Sequence, residues 1–122
     1  GRALATFQAI QHELARIAGE AAAAGAAAGL AAEALAEAAG DPMLSVAAAR
    51  IRSAEAASVA AGVAQQLHGA IGFTQEHRLH WYTSALWSWR DEYGGPHHWT
   101  QCLGAAALAV GRDGFWPFVV AA

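Results

Sequence analysis

Histidines and acids in the second half of the chain have the types and spacing that could do chemistry. His77 and His80 are three residues apart, which brings two imidazoles onto one helix face, where such pairs can chelate a metal ion. No second carboxylate–histidine repeat accompanies them, so surface or capping histidines are the alternative, and we expect no metal site. Arg90, Asp91 and Glu92 precede a glycine turn, where they could supply a catalytic acid or base or form a solvated charge run.

Tryptophans and the single cysteine lie in the same region. A set of indoles could stack on a ring cofactor or on bases, although such sets more often fill a core or an interface. Cys102 lies within a predicted helix without an obvious activating cation, which predicts an inert buried thiol rather than a nucleophile. The tryptophans are Trp81, Trp87, Trp89 and Trp99.

Two glycines three residues apart, Gly69 and Gly72, follow a long helical stretch. Glycine lets a backbone approach a ligand closely, so this loop could contact a cofactor, or it could be a tight turn between helices. It is not a P-loop, because no Gly-Lys-Ser/Thr follows, and it is not a Rossmann loop, because no strand precedes it.

The composition limits the class of protein. The 122 residues carry a formal charge of −3 and are only 14% charged, which excludes the clustered cations of a nucleic-acid footprint. One cysteine excludes an intrachain disulfide and a cysteine-based zinc cage. The longest uncharged, alanine-rich stretch, residues 21–32, is shorter than the roughly 20 apolar residues of a membrane span, and no export signal opens the chain. We therefore expect a cytoplasmic protein, and the opening Gly-Arg without a methionine predicts a fragment.

Hydrophobic spacing predicts two long helices. The first covers residues 3–39 and stops at Gly40, and the second covers about 43–67, with Asp41 and Pro42 as its cap and first residue. Alanine, the strongest helix former, carries most of both segments. Apolar residues that recur every three or four positions define one face of the first helix: Leu4, Phe7, Ile10, Leu14 and Ile17.

Two shorter helices follow. The third covers about 76–92, capped by Thr74 or Gln75, and the break at residues 94–96 separates it from a fourth helix over about 97–110, which Gly111 stops. The aromatic tail, residues 114–122, should dock on the rest. No strand pattern appears, so we predict one all-α domain over residues 1–122, an antiparallel four-helix bundle. Because alanine buries little area, we expect this bundle to pack against more protein.

Two strings resemble the C-terminal domain of the acyl-CoA dehydrogenase family. QLHGAIGFTQE, residues 66–76, is similar to the family's helix–glycine loop–helix segment, in which a Gln, two residues and Gly-Gly-x-Gly-Phe are followed by a Glu. GRALATFQAIQHELA, residues 1–15, is similar to the start of the same domain. The resemblance extends in order over essentially the whole chain. It implies a flavin enzyme whose N-terminal helical and middle β domains would precede this bundle.

The resemblance also implies which residues contact FAD. Gln8 matches a glutamine that reaches the dinucleotide. A second set matches the segment that contacts the ADP part across a subunit interface, with alanine where the family usually has glycine at its last position: Gln66, Leu67, His68, Gly69 and Ala70.

The end of the third helix departs from the family pattern. In many members a Tyr-Glu-Gly-Thr string stands there, and its Glu takes the α-proton of the acyl thioester while hydride leaves the β-carbon for the flavin. Here Tyr93 holds the base position, and a phenol is a poor base at neutral pH. Glu92, one residue away, could serve only if the helix end shifts register. Gly95 and His97 replace two flavin contacts, whereas the Tyr93 backbone N–H could still polarise the thioester carbonyl.

The resemblance implies an FAD-dependent acyl-CoA dehydrogenase, with this domain contributing flavin contacts and an oligomer interface to a dimer or tetramer. The substrate would be an acyl-CoA, the base would lie upstream or on a partner chain, and electron-transfer flavoprotein is the suggested acceptor. The isolated fragment would be inactive. The alternatives are a non-catalytic partner subunit with a degenerate site and an unrelated helical bundle.

Overall fold

The computed structural model describes residues 1–37 and 41–120. Five α-helices are described there: α1 (Gln8–Glu37), α2 (Met43–His68), α3 (Leu79–Asp91), α4 (Pro96–Ala109) and α5 (Gly111–Val120), with 3₁₀ turns at Leu4–Thr6 and Gly69–Phe73. The described ranges contain no strand, and the predicted all-α antiparallel bundle is confirmed. The predicted stop at Gly40 lies outside the described residues.

The central helix is α2, on which α1, α3 and α4 all pack. Alanines form most of its buried surface, and Ala47 and Ala61 are 0% exposed. Small side chains let helix axes approach closely, although each one removes little apolar area from water. An ion pair between Arg52 of α2 and Glu20 of α1 adds a polar contact across this alanine-lined interface.

Polar contacts fix the antiparallel register of α3 on α2. The buried Gln65 side chain donates from Nε2 to Thr83 Oγ1 at 3.4 Å, near the start of α3. Seven residues away along each helix, or about two turns, Arg90 Nη1 donates to Ser58 Oγ at 3.4 Å. The two pairs bring the end of α3 alongside the middle of α2, and the following turn alongside the first part of α2.

The ends of the second and third helices differ in how well the sequence predicted them. The Asp41 Oδ1 accepts from the Met43 N–H at 2.9 Å, as a capping side chain does, although the cap position itself falls on Pro42, one residue later than predicted. The predicted start of α3 is wrong: the helix begins at Leu79, where His77 Nδ1 accepts the Leu79 N–H at 3.2 Å. Thr74 instead donates from its hydroxyl to the Ile71 carbonyl within the 3₁₀ turn.

The aromatic tail docks in part, as a short helix that the sequence did not predict. Gly111, at φ 67°, marks the end of α4, and α5 folds back against that helix. Phe115 and Phe118 line an open groove of about 440 Å³ together with Leu44 and Leu103. The tail thus covers only part of the bundle.

Much of the chain's apolar surface has no cover within the chain. The accessible surface is 8321 Å², about a third more than the roughly 6,200 Å² expected for a compact monomer of this mass. On the predicted apolar face of α1, Leu14 is exposed. Phe7, the residue immediately before this helix, is exposed as well. Among the described helices, none is both long and apolar enough to span a bilayer.

The packing predicts that bulk at a buried alanine of α2 destabilises the fold. Ala61→Leu should lower the free energy of unfolding by about 1–3 kcal/mol, because the helices would have to separate. Ala26→Leu, at an exposed position of α1, should change it by less than about 0.5 kcal/mol. Urea denaturation of both variants measures the difference, and equal effects would contradict the close packing.

Candidate functional site

The predicted cofactor segment forms an exposed corner at the end of α2. The helix ends at Gly69, whose φ of 61° and ψ of −147° suit glycine, and whose N–H donates to the Gln65 carbonyl. Gln66 and Ala70 are exposed, whereas Leu67 is half-buried. The corner therefore offers a side-chain amide and an accessible backbone to a ligand.

Contacts behind the corner hold it in place. Gly72 is buried, and a Cβ there would meet His68 Cβ and Leu79 Cδ2 at 3.0 Å, so only a glycine fits without a shift. The exposed His68 ring bonds through Nδ1 to the Ala64 carbonyl at 2.7 Å and packs on the His77 ring, with centroids 4.8 Å apart. Gly72 is thus needed for close packing behind the loop, whereas Gly69 is needed for the backbone conformation of the turn.

Gln8 lies at the same end of the bundle as this corner. The helices α1 and α2 are antiparallel, and the Glu20–Arg52 pair sets their register. Continued along both helices, this register brings Gln8 level with about residue 64, within one turn of Gln66. Gln8 is exposed. The structure therefore brings the two predicted cofactor-contacting regions to one end of the α1–α2 hairpin.

The predicted base position lies in the turn between α3 and α4. Tyr93 has a φ of 53°, in the left-handed region, and is 88% exposed. Its backbone N–H donates to no atom in the part of the chain that the structure describes. Glu92 and His97 are also exposed, and Gly95 precedes Pro96, the first residue of α4.

Arg50 of α2 binds the main chain of this turn, on the side that faces α2. Its Nη2 lies within hydrogen-bond distance of the carbonyls of Arg90, at 3.4 Å, and Gly94, at 3.3 Å, and it also contacts the Glu92 carbonyl. A cation suits the C-terminal end of a helix, where carbonyls are left without intrahelical partners. A cleft of about 200 Å³ adjoins Arg50 and is lined in part by Leu86 and Trp89.

The acid–base candidates at the end of α3 are a surface ion pair and an exposed glutamate. The Arg90 guanidinium donates to both oxygens of the Asp91 carboxylate and holds the pKa of that carboxyl below its ordinary value. Because folding lowers this pKa, the pair stabilises the fold above the ordinary pKa of Asp91 and loses its effect as pH falls through the folded value. Asp91 is exposed and Arg90 is only half-buried, so solvent screening keeps the effect small.

The two groups of predicted site residues lie apart. Arg50, beneath the Tyr93 turn, is 16 residues from Gln66 along α2, or about 24 Å at 1.5 Å per residue. A single chain therefore presents two separate surfaces, the corner at residues 66–70 and the turn at residues 92–95.

The other candidate residues are structural or surface groups. His77 and His80 bond locally, and no group of three or more possible metal-ligating side chains occurs within the described residues. Cys102 is half-buried, and its Sγ lies 3.7 Å from His98 Nε2, a polar neighbour one helical turn earlier on α4. The tryptophans of α3 are exposed, and Trp99 of α4 is half-buried.

Sequence reasoning missed Arg50, although its position carried a signal. Ala54 and Ala61 are buried on α2, and Gln65 follows them at helical spacing. Arg50 lies one turn before Ala54 on the same stripe. A charged residue on a stripe of buried alanines predicts a specific acceptor opposite it, and that acceptor is the main chain of the turn.

Most of the chain matches the model of a known protein family. The family model described as "Acyl-CoA dehydrogenase, C-terminal domain" matches residues 1–89. This range includes Gln8 and the corner at residues 66–70, and it ends before Glu92 and Tyr93. No curated protein and no solved structure matches the chain.

The contacts of Gly94 predict that the turn at residues 92–95 does not accept a side chain there. Gly94 has a φ of 94°, and a Cβ would lie 2.7 Å from His98 Cδ2. Gly94→Ala should therefore lower the free energy of unfolding by about 1–3 kcal/mol. Gly104→Ala, within α4 and with open space around it, should instead raise it by about 0.5–1 kcal/mol. Thermal or urea unfolding measures both, and a neutral Gly94→Ala would contradict the described turn.

Proposed function

The chain belongs to the acyl-CoA dehydrogenase family, and we propose that it is the C-terminal helical domain of an FAD-dependent enzyme that oxidises an acyl-CoA thioester between its α and β carbons. The family match over residues 1–89 is the observation that carries this proposal. Domains upstream of residue 1 would hold the flavin ring and most of the substrate. This chain would supply contacts to the dinucleotide and a surface for assembly.

The corner at residues 66–70 and Gln8 are the proposed FAD contacts. FAD would accept a hydride from the acyl chain, while the residues of this chain bind and orient its dinucleotide portion. The Gln66 amide can donate to phosphate oxygens, and the exposed backbone at Gly69 and Ala70 can approach them closely. Residues 66–75 contain no carboxylate that would repel a pyrophosphate. The chemistry of the donor set therefore fits this cofactor.

Contacts of His68 and Leu67 support the same corner. His68 bonds through Nδ1 to the Ala64 carbonyl, which fixes the orientation of the ring. The other ring nitrogen, Nε2, takes no part in this bond. Half-buried Leu67 anchors the segment on the bundle. These residues would position the donors of Gln66 and Gly69.

The turn at residues 92–95 is the proposed substrate-facing surface. The free N–H of Tyr93 can donate to the thioester carbonyl, which would acidify the α-proton. The phenol of Tyr93 is not suited to take that proton at neutral pH, and Glu92 lies one residue away. Gly95 and His97 follow at the start of α4, in the positions proposed for flavin contacts. In this proposal the catalytic base comes from upstream residues or from a partner chain.

A non-catalytic partner subunit is the second candidate. It is favoured by the tyrosine at the base position. In that case an active partner would carry the carboxylate, and this chain would support the partner's flavin through the corner at residues 66–70.

An oligomer is part of both candidates. The accessible surface exceeds that of a compact monomer of this mass by about 2,000 Å², more than the roughly 800 Å² that each partner buries in a standard interface. The exposed apolar residues on α1 and α3 would be covered by a second copy or a related chain. An acyl-CoA as substrate, electron-transfer flavoprotein as acceptor and a cytoplasmic location remain predictions of this proposal.

Removal of the Gln66 amide should weaken FAD binding by the complete protein. A hydrogen bond to a charged group contributes about 1.5–3 kcal/mol, so Gln66→Ala should raise the FAD dissociation constant by about 10- to 100-fold. Gln8→Ala should act in the same direction. Gln101→Ala, at an exposed position of α4, is the control and should not change it. Fluorescence titration of the flavin-free protein measures all three, and equal affinity in every variant would refute the corner's role.

A carboxylate at position 93 tests whether this chain forms a substrate site that lacks only a base. If this chain forms a substrate site without its own base, Tyr93→Glu should raise the rate at which an acyl-CoA bleaches the visible absorption of the bound flavin under anaerobic conditions. If the base lies upstream, the wild type already bleaches and Tyr93→Glu adds nothing. A protein assembled with all its partner chains that contains no flavin, and shows no bleaching in either form, would overturn the proposed function.

A further inference from the structure

The turn at residues 92–95 holds an uncommon backbone conformation. Tyr93 is the described residue other than glycine with a positive φ, at 53°, and Gly94 follows at 94°. A left-handed conformation at a non-glycine residue is strained and persists only where the surroundings impose it. The exposed Tyr93 side chain cannot impose it, so the restraint must act on the main chain.

Arg50 supplies that restraint on one side of the turn. The carbonyls of Arg90, Glu92 and Gly94 converge on its Nη2 from the end of α3 and the turn that follows. The planar donors of a guanidinium suit several acceptors at once. Without it, three carbonyls around α3's end would lose a common partner.

The start of α4 closes the other side. A Cβ on Gly94 would meet His98 Cδ2 at 2.7 Å and Trp99 Nε1 at 3.2 Å, so these rings lie directly against the turn. The His98 and Trp99 rings also contact each other edge to face, with centroids 5.2 Å apart. The turn is thus held between a cation of α2 and two rings of α4.

The orientation of the Tyr93 N–H follows from the Arg50 contact. A trans peptide is planar, and its C=O and N–H point in opposite directions. The described peptide bonds are trans, and the Glu92 carbonyl is directed at Arg50. The N–H of the same peptide, which belongs to Tyr93, therefore points away from α2.

We infer that Arg50 is a positioning residue: by binding the Glu92 and Gly94 carbonyls, it fixes the turn so that the Tyr93 N–H is presented outward as a hydrogen-bond donor. The catalytic consequence rests on the proposed function, in which that N–H polarises the thioester carbonyl. The conformational part does not rest on it. Arg50 itself touches no substrate atom in this inference.

Variants at Arg50 of the complete, flavin-loaded protein test both parts. Arg50→Gln removes the charge and most donors, whereas Arg50→Lys keeps the charge but not the planar fork. Arg52→Gln is the matched control, because Arg52 lies on the same helix and pairs with Glu20 and Glu55 instead of the turn. Helix content by circular dichroism identifies variants that have unfolded; if Arg50→Gln has done so, Arg50→Lys carries the test.

The first readout is the crystal structure of the turn. We expect Tyr93 to leave the positive-φ region, or residues 92–95 to lose their single conformation, in Arg50→Gln but not in Arg52→Gln. An unchanged turn in Arg50→Gln would overturn the inference. This readout holds even if the protein oxidises no acyl-CoA, so it separates a failure of the inference from a failure of the proposed function.

The second readout is kinetic. A misplaced donor costs transition-state stabilisation, so kcat should fall about 10- to 100-fold in Arg50→Gln while KM for the acyl-CoA changes less than about threefold. Arg50→Lys should recover part of kcat, and Arg52→Gln should match the wild type. The carbonyl stretch of the bound thioester should move toward its value in water in Arg50→Gln. A KM effect alone, or an unshifted carbonyl stretch, would refute the catalytic consequence.

Discussion

Close contact between α2 and its neighbours depends on alanine. Wherever α2 meets another helix its buried residues are mostly small, and Ala47 and Ala61 exclude solvent completely. At such short separation a longer polar side chain on the same stripe reaches the main chain of the neighbour. Arg50 does so at the end of α3, and Gln65 reaches the Thr83 side chain at its start. The small-residue interface and these two polar side chains together set the position of α3 along α2.

Each part of the fold could be predicted from the sequence where the residue pattern determines it, and not where a side-chain rotamer does. Helix periodicity, alanine content and glycine breaks were enough to predict the bundle, and Asp41 was enough to place the start of α2 within one residue. The start of α3 was wrong because two local bonds, from Thr74 to Ile71 and from Leu79 to His77, compete with the expected cap. Such bonds depend on side-chain rotamers that a residue pattern does not specify.

The candidate site was predictable where it depends on local sequence and not where it depends on packing. The exposed corner at residues 66–70 follows from a helix end and a glycine with positive φ. The contact between Arg50 and the turn joins residues more than forty positions apart, and only the register of α2 against α3 brings them together. Tyr93 stayed ambiguous in the sequence because its side chain suggests loss of function, whereas its main chain keeps a donor.

The distance along α2 between the corner and the Tyr93 turn has a consequence for assembly. If the two surfaces contact two different cofactor molecules, then every chain contributes residues to a site on its neighbour. No site is then complete within one chain. Cofactor retention would then follow mass action between subunits: dilution that separates the chains would release the dinucleotide. A substitution that destabilises only one end of the bundle would then reduce cofactor binding at the site of a neighbouring, unsubstituted chain.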